Sequence, residues 1–159
     1  LEKGQGLVIE ITDGDTLNYR GNMFYDLAKT TVIRLAHNMA TELGGELGTL
    51  PGMSANTVKK NDITVIALTP GWLRSEEMLE TFGVSEGNWR DAVGGKHDPD
   101  GSFAFSETPH YVGRAAVALA NDKNIHEKHG KALASWHLAK EYDFKDIDNS
   151  QPHWTDKTR

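Results

Sequence analysis

Two side chains able to move a proton lie four residues apart in the segment NMFYDLAKTTVIRLAHNMATEL (22–43): the phenol of Tyr25 and the ammonium of Lys29. On a helix, residues at i and i+4 are neighbours on one face. A free tyrosine titrates near ~10 and is a poor acid or base at neutral pH. A nearby ammonium favours the phenolate and is expected to lower that value. A phenol tuned in this way can give a proton to a carbonyl oxygen or take one from an alcohol. Taken alone, the pair is more often a solvated helix surface, so the elements that would position it decide its meaning.

The segment reads as one amphipathic helix. Phe24, Leu27, Ala28, Val32, Leu35, Ala36, Met39 and Leu43 recur at steps of three and four, the pattern of one buried stripe. Asn22 is a plausible N-cap and Gly44-Gly45 ends the helix. Before it, GLVIEIT (6–12) is a short, nearly continuous apolar run, as in a buried parallel strand. ITVIALT (63–69) is a second such strand. PGWLRSEEMLETFG (70–83) is a loop entering a short helix, and 88–107 is irregular. Thr108 and Pro109 form an N-cap and first helical residue for a helix through 110–122. KALASW (131–136) is expected to be a third strand, followed by a polar tail. Strand, helix, strand, helix, strand is the order of an α/β parallel sheet. Ligands of such sheets bind beyond the carboxyl ends of the strands, here Thr12-Asp13 and Thr69-Pro70-Gly71.

The chain has 159 residues, a net charge of −6 and no cysteine. It is long enough for one domain with a core. The acidic balance argues against nucleic acid and acidic membranes as partners. The lack of cysteine removes disulfides, a thiolate nucleophile and cysteine zinc sites. No apolar run approaches the ~20 residues of a membrane span, and a cytoplasmic protein is the default. His126 and His129 form an H-x-x-H, more readily a solvated surface than a metal site, so no metal is expected. Asp13 and Asp15 fit loop solvation or an Asx turn before Gly14 better than a catalytic carboxylate pair. Trp72, Met78, Leu79, Phe82 and Trp89 are either an apolar pocket or ordinary core.

Together these features resemble the C-terminal half of a short-chain dehydrogenase/reductase, with a partial Rossmann-like, doubly wound fold. YDLAK (25–29) fits that family's Tyr-x-x-x-Lys motif, and ALTPGWLRSE resembles its Pro-Gly segment after the sixth strand. The order of elements agrees from residue 6 to about 136, so 1–159 is expected to be one partial domain. The resemblance implies transfer of hydride between NAD or NADP and a carbonyl or alcohol substrate. It makes Tyr25 the general acid/base, and has Lys29 lower the tyrosine's pKa and bind the nicotinamide ribose. It puts Pro70, Gly71, Trp72, Leu73 and Ser75 along the nicotinamide. The serine usual in the family before the tyrosine is replaced by Thr12 or Asp13. Thr12 is preferred because it keeps a hydroxyl donor, whereas an ionised Asp13 would repel a developing oxyanion.

The family's glycine-rich G-x-x-x-G-x-G turn, where a helix N-terminus holds the pyrophosphate, has no counterpart in this sequence. With Leu1 in place of a start methionine, the chain is expected to be a fragment that by itself neither binds NAD(P)H usefully nor catalyses. The 44–62 connection is longer than the family's and reads as an insertion or loop. The alternative function is a non-catalytic half-domain. In the resembled family the helix at 22–43 commonly pairs with its copy, which implies a homo-oligomer.

Overall fold

The computed structural model describes residues 5–43 and 62–155. The Gly44-Gly45 helix stop and the expected insertion, apart from Asp62, lie outside the described residues. The chain divides into two compact units, Leu1–Thr69 with Leu119–Leu133, and Pro70–Ala118 with Ala134–Arg159.

In the first unit, β1 (Gln5–Ile11) pairs in parallel with β2 (Asp62–Thr69), Ile9 opposite Ile66. A parallel pair needs a crossover, and the crossover contains α1 (Met23–Leu43). The sheet order is β1-β2-β3, where β3 is Ala132–Ala134. The central strand β2 is buried from Ile63 to Thr69. β1 lies at the edge and is only half-buried. The continuous apolar run was expected to mark a buried strand, yet its second neighbour is missing among the described residues. Such an edge leaves backbone groups open to pairing.

Asn22 caps α1, its Oδ1 accepting from the Phe24 and Tyr25 amides at 3.0 and 3.1 Å. Ala36 and Ala40 lie against Ile63, Val65 and Ala67, with Val8, Ile33, Met39 and Leu43 around them. Small residues let the helix approach the sheet closely. The anticipated apolar stripe therefore divides: Ala36, Met39 and Leu43 pack on the sheet, while Phe24, Leu27 and Leu35 are exposed.

His129 corrects the solvated-surface reading of the H-x-x-H. Its Nδ1 accepts from the Val65 amide at 3.1 Å and its Nε2 lies 2.8 Å from the Ala40 carbonyl. An amide can only donate, so Nδ1 is the acceptor and Nε2 carries the proton. The imidazole thus satisfies a β2 edge amide and one of the last-turn carbonyls of α1, which have no partner within their own helix. Gly130 and Lys131 continue that edge, bonding Val65 and Ala67 at 2.8 and 3.0 Å.

The second unit contains α2 (Glu76–Phe82), most of α3 (Pro109–Asn121) and α4 (Ser135–Tyr142), with short 3-10 helices at Trp89–Ala92 and Ser102–Phe105. Ser75 and Gly83 cap α2, and Gly83 adopts the left-handed conformation with φ +68°. Phe103 is fully buried, stacks on Phe82 at 4.6 Å, and meets Trp72 and Trp89 edge-on. Trp72, Met78, Leu79, Phe82 and Trp89 are thus the core of this unit. Arg74 is buried beneath them, bonded to Glu86 and to Ser106, with its guanidinium 4.1 Å from the Trp89 ring. The expected strand at 131–136 is cut short: β3 ends at Ala134 and α4 starts at the next residue.

The double role of His129 makes a prediction. His129→Ala strands the Val65 amide and the Ala40 carbonyl and should cost on the order of 2 kcal/mol or more. Urea denaturation checks it, and a midpoint unchanged from wild type would show that water replaces both bonds.

Candidate proton-transfer site

The carboxyl end of β1 leads straight into the candidate site. Strand pairing runs one residue past β1, for the Thr12 amide donates to the Leu68 carbonyl at 3.0 Å. Thr12 is buried, and its hydroxyl donates to the Lys29 carbonyl on α1 at 2.9 Å. Gly14 then turns the chain with φ +81°, and its amide donates to Thr69 Oγ1 at 2.7 Å. Arg20 closes the loop. It bonds Asp26 at 2.8 Å and the Thr16 carbonyl at 2.8 Å, and a Cβ at Gly14 would collide with its guanidinium. This loop presents Asp13 to α1, where its Oδ2 accepts from the Tyr25 hydroxyl at 2.8 Å. Lys29 Nζ lies 5.2 Å from the centroid of the Tyr25 ring.

Tyr25, Lys29, Thr12 and Asp13 are therefore brought together within the first unit, but not in the expected roles. The Thr12 hydroxyl is committed to a helix carbonyl, so the preference for Thr12 over Asp13 gives way. Asp13 is the residue that meets the tyrosine, and it is neither simply solvated nor an Asx-turn residue. The expected lowering of the tyrosine pKa is also reversed: Tyr25 is pushed up to about 12. Partial burial is the largest cause, although the residue keeps 45 % of its surface exposed. The hydrogen bond to Asp13 and the repulsion of that carboxylate add to it, and Arg20 acts the other way. The ammonium lies over the ring, whereas the carboxylate lies on the oxygen that titrates.

The 70–75 segment belongs to the second unit. Gly71 donates its amide to the buried Glu107 carboxylate at 2.9 Å. The Trp72 ring packs with Phe82, Phe103 and Trp154. Leu73 forms a parallel bridge with Glu107, and Ser75 Oγ accepts from the Met78 amide at 3.2 Å. Ser75 thus has a helix to cap, and the aromatic residue expected along a ligand is part of a core. Glu107 escaped the sequence reading. Its signal was an acidic residue just before the Thr108-Pro109 helix start, in a stretch otherwise read as irregular. Among the described residues no group of three or more His, Asp or Glu is placed to hold a metal, and no helix is long and apolar enough to cross a membrane.

Replacing Asp13 by Asn should keep an acceptor on the Tyr25 hydroxyl but remove the charge, so Tyr25 should titrate at lower pH. Phenolate absorbance, read as the difference between each protein and its Tyr25→Phe counterpart, measures this. An unmoved titration would remove Asp13 as the partner that holds the proton.

No family model matches the chain. Dehydrogenase/reductase SDR family member 1 of Mus musculus is 32% identical over 145 residues, which is 91% of this chain and 41% of the relative. The Homo sapiens protein of the same name is 30% identical over 145 residues with the same coverage. The chain spans about two fifths of the length of these curated relatives. Among solved structures, a variant of actinorhodin polyketide ketoreductase with NADPH superposes with a TM-score of 0.54 at 19% identity, covering 84% of this chain and 46% of that one. That likeness shows the fold, a partial Rossmann-like parallel α/β arrangement. In sequence the chain is thus similar to part of these short-chain dehydrogenases/reductases, and it fits a partial fold of that kind.

Proposed function

We propose that the protein to which this chain belongs reduces or oxidises a carbonyl/alcohol substrate with NAD or NADP, and that Tyr25 moves the proton. The observation that carries this reading is the Tyr25 hydroxyl bonded to Asp13 at 2.8 Å beside the Lys29 ammonium, at the carboxyl end of β1. The ketoreductase of similar fold was solved with NADPH, which supports a nicotinamide cofactor here. When bound, that cofactor would supply the two electrons for reduction of a carbonyl, or take them up on oxidation of an alcohol.

The donor set fits only one end of such a cofactor. Lys29 has no carboxylate within ion-pairing distance among the described residues, so its ammonium is available to ribose hydroxyls. Pro70, Gly71, Trp72, Leu73 and Ser75 are proposed to line the nicotinamide. No strand–glycine turn–helix for the pyrophosphate occurs in the sequence. Tyr25, held protonated by burial and by Asp13, carries the proton that a carbonyl oxygen would take, and Asp13, at 2.8 Å, is the acceptor from which that hydroxyl must turn to give it. Thr12 takes no part in proton transfer and fixes α1 through the Lys29 carbonyl.

In the full-length protein, Tyr25→Phe should lower kcat on any accepted carbonyl by at least about a hundredfold with cofactor affinity unchanged. Near-wild-type turnover would end the assignment. Calorimetric titration of the 159-residue chain with NADH and NADPH should show no micromolar binding, because its sequence has no glycine-rich turn to hold the pyrophosphate.

A second reading has one observation in its favour. Phe24, Leu27 and Leu35 on α1 are 76%, 57% and 46% exposed, at a spacing that puts them on one helix face. A chain that pairs through α1 with a second copy, with or without catalysis, would cover them. Sedimentation of the wild type against Leu27→Glu separates the cases: a dimer lost on substitution supports pairing, and a monomer in both rejects it.

A further inference from the structure

Among the buried groups of the second unit that the proposed chemistry does not use, Glu107 is the carboxylate that bonds a backbone amide of the 71–74 segment. Glu107 is 1% exposed. Its carboxylate Oε2 accepts from the Gly71 amide at 2.9 Å and from the Ser135 hydroxyl at 2.6 Å. Its own amide donates to the Trp72 carbonyl at 2.9 Å, and its carbonyl accepts from the Arg74 amide at 2.8 Å. One residue therefore holds peptide groups at 71, 72 and 74. The glycine at 71 follows from this contact. A Cβ there would lie 3.1 Å from Glu107 Oε2 and 3.4 Å from Trp154 Cβ. Gly71 does not have a positive φ, so what calls for glycine is the close approach of the carboxylate rather than backbone freedom.

The arrangement also leaves an imbalance. Among the described residues, neither the buried Oε1 of Glu107 nor the Trp136 indole nitrogen has a hydrogen-bond partner. Every bond the carboxylate accepts falls on one oxygen, and a bare buried carboxylate oxygen is costly.

We infer that Glu107 is a positioning residue, a buried clamp that sets the conformation of the Gly71–Arg74 segment from beneath, and that its protonation state tunes this segment. The inference rests on the cofactor reading only for its catalytic consequence, since the clamp itself is a property of the fold.

Burial pushes the Glu107 carboxyl up to about 7 from an ordinary 4.5. The bonds from Ser135 and Gly71 pull it down, Asp146 pushes it up and Arg74 lowers it. Tyr111, on α3, is itself raised, chiefly by burial, with the Glu107 and Asp146 charges adding to it. The folded state thus holds a proton that the unfolded chain releases. The stability this contributes is complete below 4.5 and is lost as pH rises through about 7.

Amide exchange and pH titration of the 159-residue chain by NMR test the clamp. Glu107→Ala should speed exchange of the Gly71 amide by about tenfold or more, while Glu107→Gln, which keeps an acceptor, should restore protection. The Gly71 resonance of the wild type should titrate near neutral pH, and that of Glu107→Gln should not. Gly71 exchange within twofold of wild type in the Ala variant, or an identical titration in the Gln variant, overturns the inference. Should the Ala variant not fold, the wild-type and Gln titrations decide. The cofactor reading fails by a different observation: full-length protein saturated with NADPH in which the Trp72–Ser75 amides do not shift.

Discussion

Parallel pairing of Gln5–Ile11 with Asp62–Thr69 is the constraint on which the candidate site depends. Two parallel neighbours cannot be joined by a tight turn, so the chain must cross a face of the sheet. The crossing helix packs only as closely as its side chains allow, and Ala36 and Ala40 against Ile63, Val65 and Ala67 allow a close approach. Once α1 lies there, its first turns fall beside the carboxyl end of β1. The Thr12 amide extends the ladder by one bond, and side chains alternate along a strand. Thr12 therefore faces inward to α1, and the chain turning at Gly14 sends Asp13 to the tyrosine. The identity of the tyrosine's partner is decided by strand register.

That register also decides the electrostatics. The spacing of Tyr25 and Lys29 predicts an ammonium beside a phenol, and the ammonium is there, 5.2 Å from the ring centroid. The carboxylate is much nearer the titrating oxygen, at 2.8 Å, and it accepts the very proton whose loss the ammonium would favour. Interaction energy falls with distance, and a hydrogen bond to the neutral form adds to it. Asp13 outweighs Lys29 on both counts. A phenol held in this way is a weaker acid than a free one, because burial and the carboxylate both oppose loss of its proton. To act as a base it needs added positive charge at its oxygen, or a protonated Asp13.

Most of the fold was legible where local signals agreed. β1, β2, α1 with its Asn22 cap, α2 between Ser75 and Gly83, and α3 after Thr108-Pro109 each combine a periodic apolar pattern with a recognisable end. α4 was missed because no Gly or Pro separates Ala132-Leu133-Ala134 from Ser135-Trp136, and its N-cap position is Ala134, which has no polar side chain to cap with. The candidate site was legible as residue types and less so as partners. Tyr25, Lys29, Thr12 and Asp13 do come together, but whether position 12 or 13 turns to the tyrosine depends on one bond to Leu68. His129 bonds residues 64 and 89 positions away, and Glu107 bonds residues 36 and 28 away. Neither separation leaves a periodic trace in the sequence.

The second unit has little sheet to satisfy its backbone, and loops need acceptors for their amides. Buried carboxylates supply them. Asp98 accepts from Gly94 on one oxygen and from Phe103 and Ser102 on the other. Asp146 does the same with the Thr108 and Ile147 amides and the Thr108 hydroxyl. Each uses both oxygens, as a buried carboxylate must if its charge is to be spread over donors. Glu107 accepts on one oxygen only, and the other has no partner among the described residues. In a unit organised by fully satisfied carboxylates, the incompletely satisfied one lies under the Pro70-Gly71 turn. A carboxylate left in that condition gains by taking up a proton, so the support it gives to the backbone resting on it depends on pH.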